Sequence, residues 1–130
     1  LHQPAVELIT LSACQTALGS HTAELGFAGF AVLAGAKTAV ASLWSVSDEA
    51  SAGLMIEFYE QLQGNQPIIK AEALRQAQLA MIRGDIAVDG DRLKLPNGSR
   101  QLPLELAEDT GQDFSHPYYW AAFSLIGSPW

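Results

Sequence analysis

Val6 to Leu11 reads V-E-L-I-T-L, rich in β-branched residues and leucine, and runs into the small residues Ser12-Ala13-Cys14. This pattern predicts a buried strand followed by a turn. Gln15 to Thr22, with Gly19, Ser20 and His21, reads as a loop. Glu24 to Gly35 is apolar nearly all round, the pattern of a helix buried on several sides. Gly26 and Gly29 would let a neighbouring backbone come close, and Gly35 is placed to stop the helix. Thr38 to Leu43 (T-A-V-A-S-L) predicts a second short buried strand, closed by Trp44.

A helix follows from about Asp48 to Gln63, with Leu54, Met55, Phe58, Tyr59 and Leu62 on one apolar face. Asp48 and Glu49 fall in its first turn, where the helix dipole favours acids, with Ser47 or Asp48 as N-cap. Gly64, Asn65 and Pro67 end it. A second amphipathic helix runs from about Ile69 to Arg83 on Leu74, Ala77 and Met81, and Gly84 terminates it. Gly84 to Ser115 changes character. Asp89-Gly90 and Pro96-Asn97-Gly98 are turn signals between short runs, which predicts an inserted surface excursion with one or two irregular hairpins. His116 to Trp120 opens a last strand, Ala121 to Ile126, closed by Gly127. Strands alternating with helices predict an α/β fold with a mostly parallel sheet flanked by helices. Three such strands make a small sheet. A chain that starts at Leu1 without a basic-then-apolar opening reads as one partial domain entered mid-fold, with no signal peptide.

Composition narrows the function classes. The chain has 130 residues, one domain's worth, and 48% are hydrophobic, enough for a core. No apolar run approaches the ~20 residues a membrane span needs. Seven Lys and Arg against 14 Asp and Glu leave a net charge of −7, which argues against nucleic-acid binding. Seven of those acids lie between Gly84 and Ser115. One cysteine excludes an internal disulfide framework and a multi-thiolate zinc site, and it suits a reducing, cytoplasmic setting.

That cysteine, Cys14, stands just past the first strand, and reactive groups in open α/β sheets gather at the carboxyl ends of strands. A buried structural thiol is the plainer alternative. A nucleophilic thiol needs a base in reach. His2 precedes the first strand, His21 lies in the following loop, and His116 opens the last strand, so none completes a convincing dyad with Cys14. Asp48, just beyond the second strand, is either a helix cap or a fixed negative charge lining a substrate pocket. Trp44 either walls that pocket or packs in a core. Asp89-Gly90-Asp91 lacks the rest of a calcium loop, and no glycine-rich phosphate loop is present.

Four ordered stretches then carry a family resemblance. Leu11-Ser12-Ala13-Cys14-Gln15-Thr16-Ala17, Ala34-Gly35-Ala36-Lys37 running into Val40-Ala41-Ser42-Leu43-Trp44-Ser45-Val46-Ser47-Asp48, Ala73-Leu74-Arg75-Gln76-Ala77-Gln78, and His116-Pro117-Tyr118-Tyr119-Trp120-Ala121-Ala122-Phe123 with Leu125-Ile126-Gly127 resemble the C-terminal half of a CHAT domain. Such domains are caspase- and separase-like and are commonly found behind tetratricopeptide repeats. The resemblance implies a caspase-like fold and a Cys/His dyad that cleaves peptide bonds without metal or cofactor. It gives Cys14 the nucleophile's role and puts the histidine in a His-Gly motif upstream of Leu1. Asp48 is similar to the aspartate of the separase L-W-x-V-x-D stretch, where an acid helps select arginine before the scissile bond. Expected partners are a protein or peptide substrate, the upstream half of the domain and helical repeats, with neither nucleic acid nor membrane. The strand Val6 to Leu11 would expose an edge open to self-association. The competing readings are a degenerate, protease-like interaction module and a small ligand-binding domain with a structural Cys14.

Overall fold

The computed structural model describes residues 6–11, 21–102 and 113–130. The chain divides into two compact units, Leu1–Ser45 with Ala122–Trp130, and Val46–Ala121.

The first unit holds strand β1 (Val6–Leu11), helix α1 (His21–Leu33) and strand β2 (Ala36–Ser42). It closes with the chain's last strand, Phe123–Gly127, which lies on the far side of β2 from β1. Central position explains the composition of β2. Alanines and β-branched residues fill a strand covered on both faces, and Thr38, Ala39, Val40, Ala41 and Ser42 are all buried. Ala28 of α1 packs with Ala39 and Ala41, joined by Leu11, Val32 and Ile126. Small side chains on both surfaces let helix and sheet lie close. Gly35 ends α1 as its sequence position predicts, at a φ of +114° that favours glycine.

β1 runs parallel to β2, with Val6 opposite Ala36 and Leu11 opposite Ala41, so both strands leave the sheet at the same edge. The last strand is antiparallel to β2, with Phe123 beside Ser42 and Gly127 beside Thr38. It enters at the edge where β2 leaves, so it can only run back along it. The expectation of a mostly parallel sheet is therefore corrected: this sheet is mixed, and the second sheet is wholly antiparallel.

α1 corrects a second expectation. A helix apolar all round was expected to be buried on several sides, yet Phe30 and Leu33 are 69% and 84% exposed. Among the described residues nothing stands within 4 Å of a Cβ built at Gly26 or Gly29.

The second unit starts with helix α2 (Asp48–Leu62), whose N-cap is Ser47: its Oγ accepts from the Ala50 backbone N–H at 3.3 Å. Leu54 and Phe58 are buried as the spacing predicts, but Tyr59 is exposed and Glu57 takes a place on the inner face. Helix α3 (Lys70–Ile82) packs along α2 and buries Ala73, Leu74, Ala77, Ala80 and Met81. In its first turn Glu72 accepts from Gln76 and Arg75, each at 2.8 Å. The Gln76 bond, with that of Arg75 and its positive charge, holds the Glu72 carboxyl below the usual range.

Within the acidic excursion, of which residues 103–112 lie outside the described residues, β3 (Ala87–Asp89), β4 (Arg92–Leu95) and β5 (Gly98–Gln101) form a meander. Its two connections are two residues long, which forces antiparallel hairpins. Along β4, Leu93 and Leu95 point inward while Arg92 and Lys94 stay in solvent. Ile86 and Leu93 face Gly53 of α2, where a Cβ would stand 2.5 Å from Ile86 Cγ2. Residues 116–120 depart from the expected strand opening. Pro117–Trp120 forms a single helical turn, α4, because Pro117 suits a first helical position and His116 caps it. The final strand, now β6, begins at Phe123.

Gly127 is the position where backbone geometry and packing agree most tightly. Its φ is +96°, and an added Cβ would stand 2.6 Å from the Lys37 carbonyl oxygen and 3.2 Å from Val32 Cγ2. Gly127→Ala is expected to destabilise the protein by roughly 1–3 kcal/mol. Urea unfolding should show the lowered midpoint; an unchanged one would mean that the β6 end relaxes freely.

Candidate functional site

The parallel pairing of β1 and β2 builds the edge at which chemistry was expected. Leu11 and Ala41 are partners at that edge, and the chain continues past each strand end into the segments singled out from sequence. Cys14 follows the last residue of β1 by three positions and lies outside the described residues. Trp44 follows the last residue of β2 by two positions and is half-buried. The backbone leading to it is held by the Leu43 N–H, which donates to the Ala122 carbonyl at 2.7 Å.

Asp48 belongs to the second unit, where it is the first residue of α2 and exposed. Its two sequence readings now separate. Ser47, not Asp48, supplies the side-chain cap. The Asp48 carboxylate therefore needs no capping explanation, though the helix N-terminus still favours its charge. The described residues of the candidate set are thus Trp44 in one unit and Asp48 in the other.

His2 lies outside the described residues, and His21 is the first residue of α1 rather than part of a loop. His116 serves the local structure, where its Nδ1 accepts from the Tyr118 N–H at 3.1 Å and caps α4. The same turn is fixed by Trp120 Nε1–H donating to the Ser115 carbonyl at 3.0 Å. Asp113 accepts from the Ser115 backbone N–H at 3.1 Å and from its hydroxyl at 2.8 Å. The backbone bond, then the hydroxyl bond, holds the Asp113 carboxyl below the usual aspartate range. Edge-to-face packing of Phe114 and Tyr118 on Tyr119 completes this corner.

Sequence reasoning did not single out Glu57, Glu60 and Arg100. Glu57 sits on the inner face of α2 and accepts from Gln61 Nε2 at 2.9 Å. Arg100 of β5 donates to Glu60 at 2.8 Å. A signal was present: Glu57 lies three residues after Leu54 and one before Phe58, so the helical period puts an acid inside the apolar stripe. Among the described residues, no group of three or more His, Cys, Asp and Glu could hold a metal ion. No described helix is long and apolar enough to cross a membrane.

Two outcomes follow from this geometry. Ser47→Ala should lower stability by about 1 kcal/mol, while Asp48→Asn should cost no more than a few tenths; equal losses in thermal unfolding would return the cap to Asp48. Ser115→Ala removes the hydroxyl bond to Asp113, so its carboxyl should titrate at higher pH by NMR. A group whose pKa is lowered by folding stabilises the fold above the ordinary aspartate range and loses that contribution as the pH falls through its folded value. The variant should therefore forfeit part of that acid-side stability. An unshifted Asp113 titration would contradict the assigned cause.

No curated protein and no solved structure matches the chain. A family model, that of the CHAT domain, matches residues 1–128, a span that takes in Cys14, Trp44, Asp48 and the meander alike. The chain therefore belongs to the CHAT domain family, a caspase-like family.

Proposed function

We propose that this chain is the nucleophile-bearing part of a caspase-like cysteine endopeptidase domain. The observation that carries the reading is the family match, which takes in Cys14 three residues beyond a strand paired in parallel with its neighbour. In this reading the Cys14 thiolate attacks the carbonyl carbon of a peptide bond. The electron pair moves onto oxygen, and backbone amides near Cys14 steady the oxyanion. Collapse of that intermediate breaks the C–N bond, and a histidine upstream of Leu1 protonates the departing amine. Water then releases the acyl group from sulfur. The reaction needs no metal or cofactor. Asp48 supplies negative charge for a basic side chain before the scissile bond, and Trp44 gives an apolar wall.

The upstream half of the domain is the proposed partner that completes the dyad. Two observations support a covering partner: among the described residues β1 pairs with β2 alone, and Phe30 and Leu33 on α1 are exposed. Helical repeats, a cytoplasmic setting and self-association through the β1 edge belong to the same proposal.

The test is a peptide panel with Arg, Lys, Asp and Leu before the scissile bond. In the full-length protein, cleavage should be lost in Cys14→Ala, and Asp48→Asn should lower cleavage after Arg and Lys by about tenfold or more. Residues 1–130 alone should be inactive. Cleavage unaffected by Cys14→Ala would overturn the reading, and a full-length protein that cleaves nothing would favour the interaction module instead.

A further inference from the structure

Glu57 is an unusual occupant of the inner face of α2. It is 2% exposed, and its Oε1 accepts a single hydrogen bond, from Gln61 Nε2 at 2.9 Å. Among the described residues no lysine or arginine forms an ion pair with it; Arg100, on the same side of the unit, is taken by Glu60 at 2.8 Å. A buried carboxylate with one amide donor and no cation lacks the compensation that such groups normally have.

Glu57 also lines a cleft of about 200 Å³ between α2 and the β4–β5 turn. Leu95 gives the cleft an apolar wall, and Asn97 and Ser99 add polar groups. Gly98, at a φ of +146°, keeps the turn free of a side chain there. Glu60 and Arg100 complete the lining. The cleft therefore joins a buried negative charge, an apolar surface and further hydrogen-bond acceptors within one unit.

We propose that this cleft is a binding subsite for an organic cation: an ammonium or guanidinium group on a short alkyl stem. The cation supplies the positive partner that the Glu57 carboxylate lacks, and the stem lies along Leu95, as lysine and arginine stems lie on apolar surface elsewhere. Asn97 and Ser99 accept remaining N–H bonds. Arg100 opposes the guest by its charge and by occupying Glu60, so it sets the affinity from the rim. The same chemistry is offered by a lysine or arginine side chain of a peptide and by a free alkylamine. The proposal does not depend on proteolysis.

The test is calorimetric titration of the full-length protein at low salt with n-butylamine and, separately, with Nα-acetyl-lysine amide. Saturable binding of at least one is expected. Glu57→Gln should weaken it about tenfold or more. Asp89→Asn, which removes the same charge from an exposed position on β3, should leave it within about twofold. Arg100→Gln should tighten it, which keeps the proposal testable if Glu57→Gln fails to fold. Binding of the lysine amide alone assigns the cleft to a peptide side chain, and binding of both assigns it to alkylamines generally. No saturable binding, equal affinity in Glu57→Gln, or no tightening in Arg100→Gln would overturn the proposal.

Discussion

The parallel pairing of β1 with β2 sets where the chain leaves the first sheet, and the proposed chemistry follows from it. A parallel pair sends both chains out of the sheet at one edge, so segments far apart in sequence emerge as neighbours. Leu11 opposite Ala41 is the last rung of that pairing. The buried run from Thr38 to Ser42 makes β2 the strand that its neighbours must match. A register slip of one residue would turn Ala39 and Ala41 away from α1, and the close packing around Ala28 would be lost. The sequence opposes that slip with small residues on the helix-facing side of β2 and with Gly127, whose backbone lies too near Lys37 to admit a side chain.

The second unit is held by different means. Ser47 starts α2, small residues on α3 give it a close surface, and two tight turns fold the meander whose Leu93 and Val88 close the core. The meander also carries Arg100 to Glu60, an ion pair exposed enough to contribute little to stability. Its interest lies instead in what it leaves on the inner side: Glu57, buried and served by one glutamine amide.

Most elements were legible in the sequence because their period was strong. The β-branched run at Thr38, the apolar faces around Phe58 and Ala77, and the turn residues at Gly90 and Asn97 all gave their structures directly, whereas the run at Val6 gave a strand without the burial expected of it: Val6 and Glu7 are exposed and Leu8 to Leu11 only half-buried, because among the described residues β1 pairs with β2 alone. What was not legible depended on partners distant in sequence. The direction of β6 follows from where the chain re-enters the sheet, which no local pattern encodes. The helical turn at Pro117–Trp120 competed with an aromatic run that favours strands, and the cap from His116 with Pro117 decided it. The exposure of Phe30 and Leu33 defeated composition outright, since an all-round apolar helix carries no sign of which side is left uncovered. At the site, sequence offered Ser47 and Asp48 as equal caps, and only the hydroxyl's bond to Ala50 separated them.

The proposed chemistry rests on Cys14, three residues beyond β1 in the sequence, being a reactive nucleophile and not an inert structural thiol. The most direct measurement is the pH dependence of Cys14 alkylation by iodoacetamide in the native full-length protein, read by mass spectrometry. Labelling without denaturation is expected, with a midpoint below the ~8.5 of a free thiol. A Cys14 that resists the reagent until the protein is unfolded would contradict it.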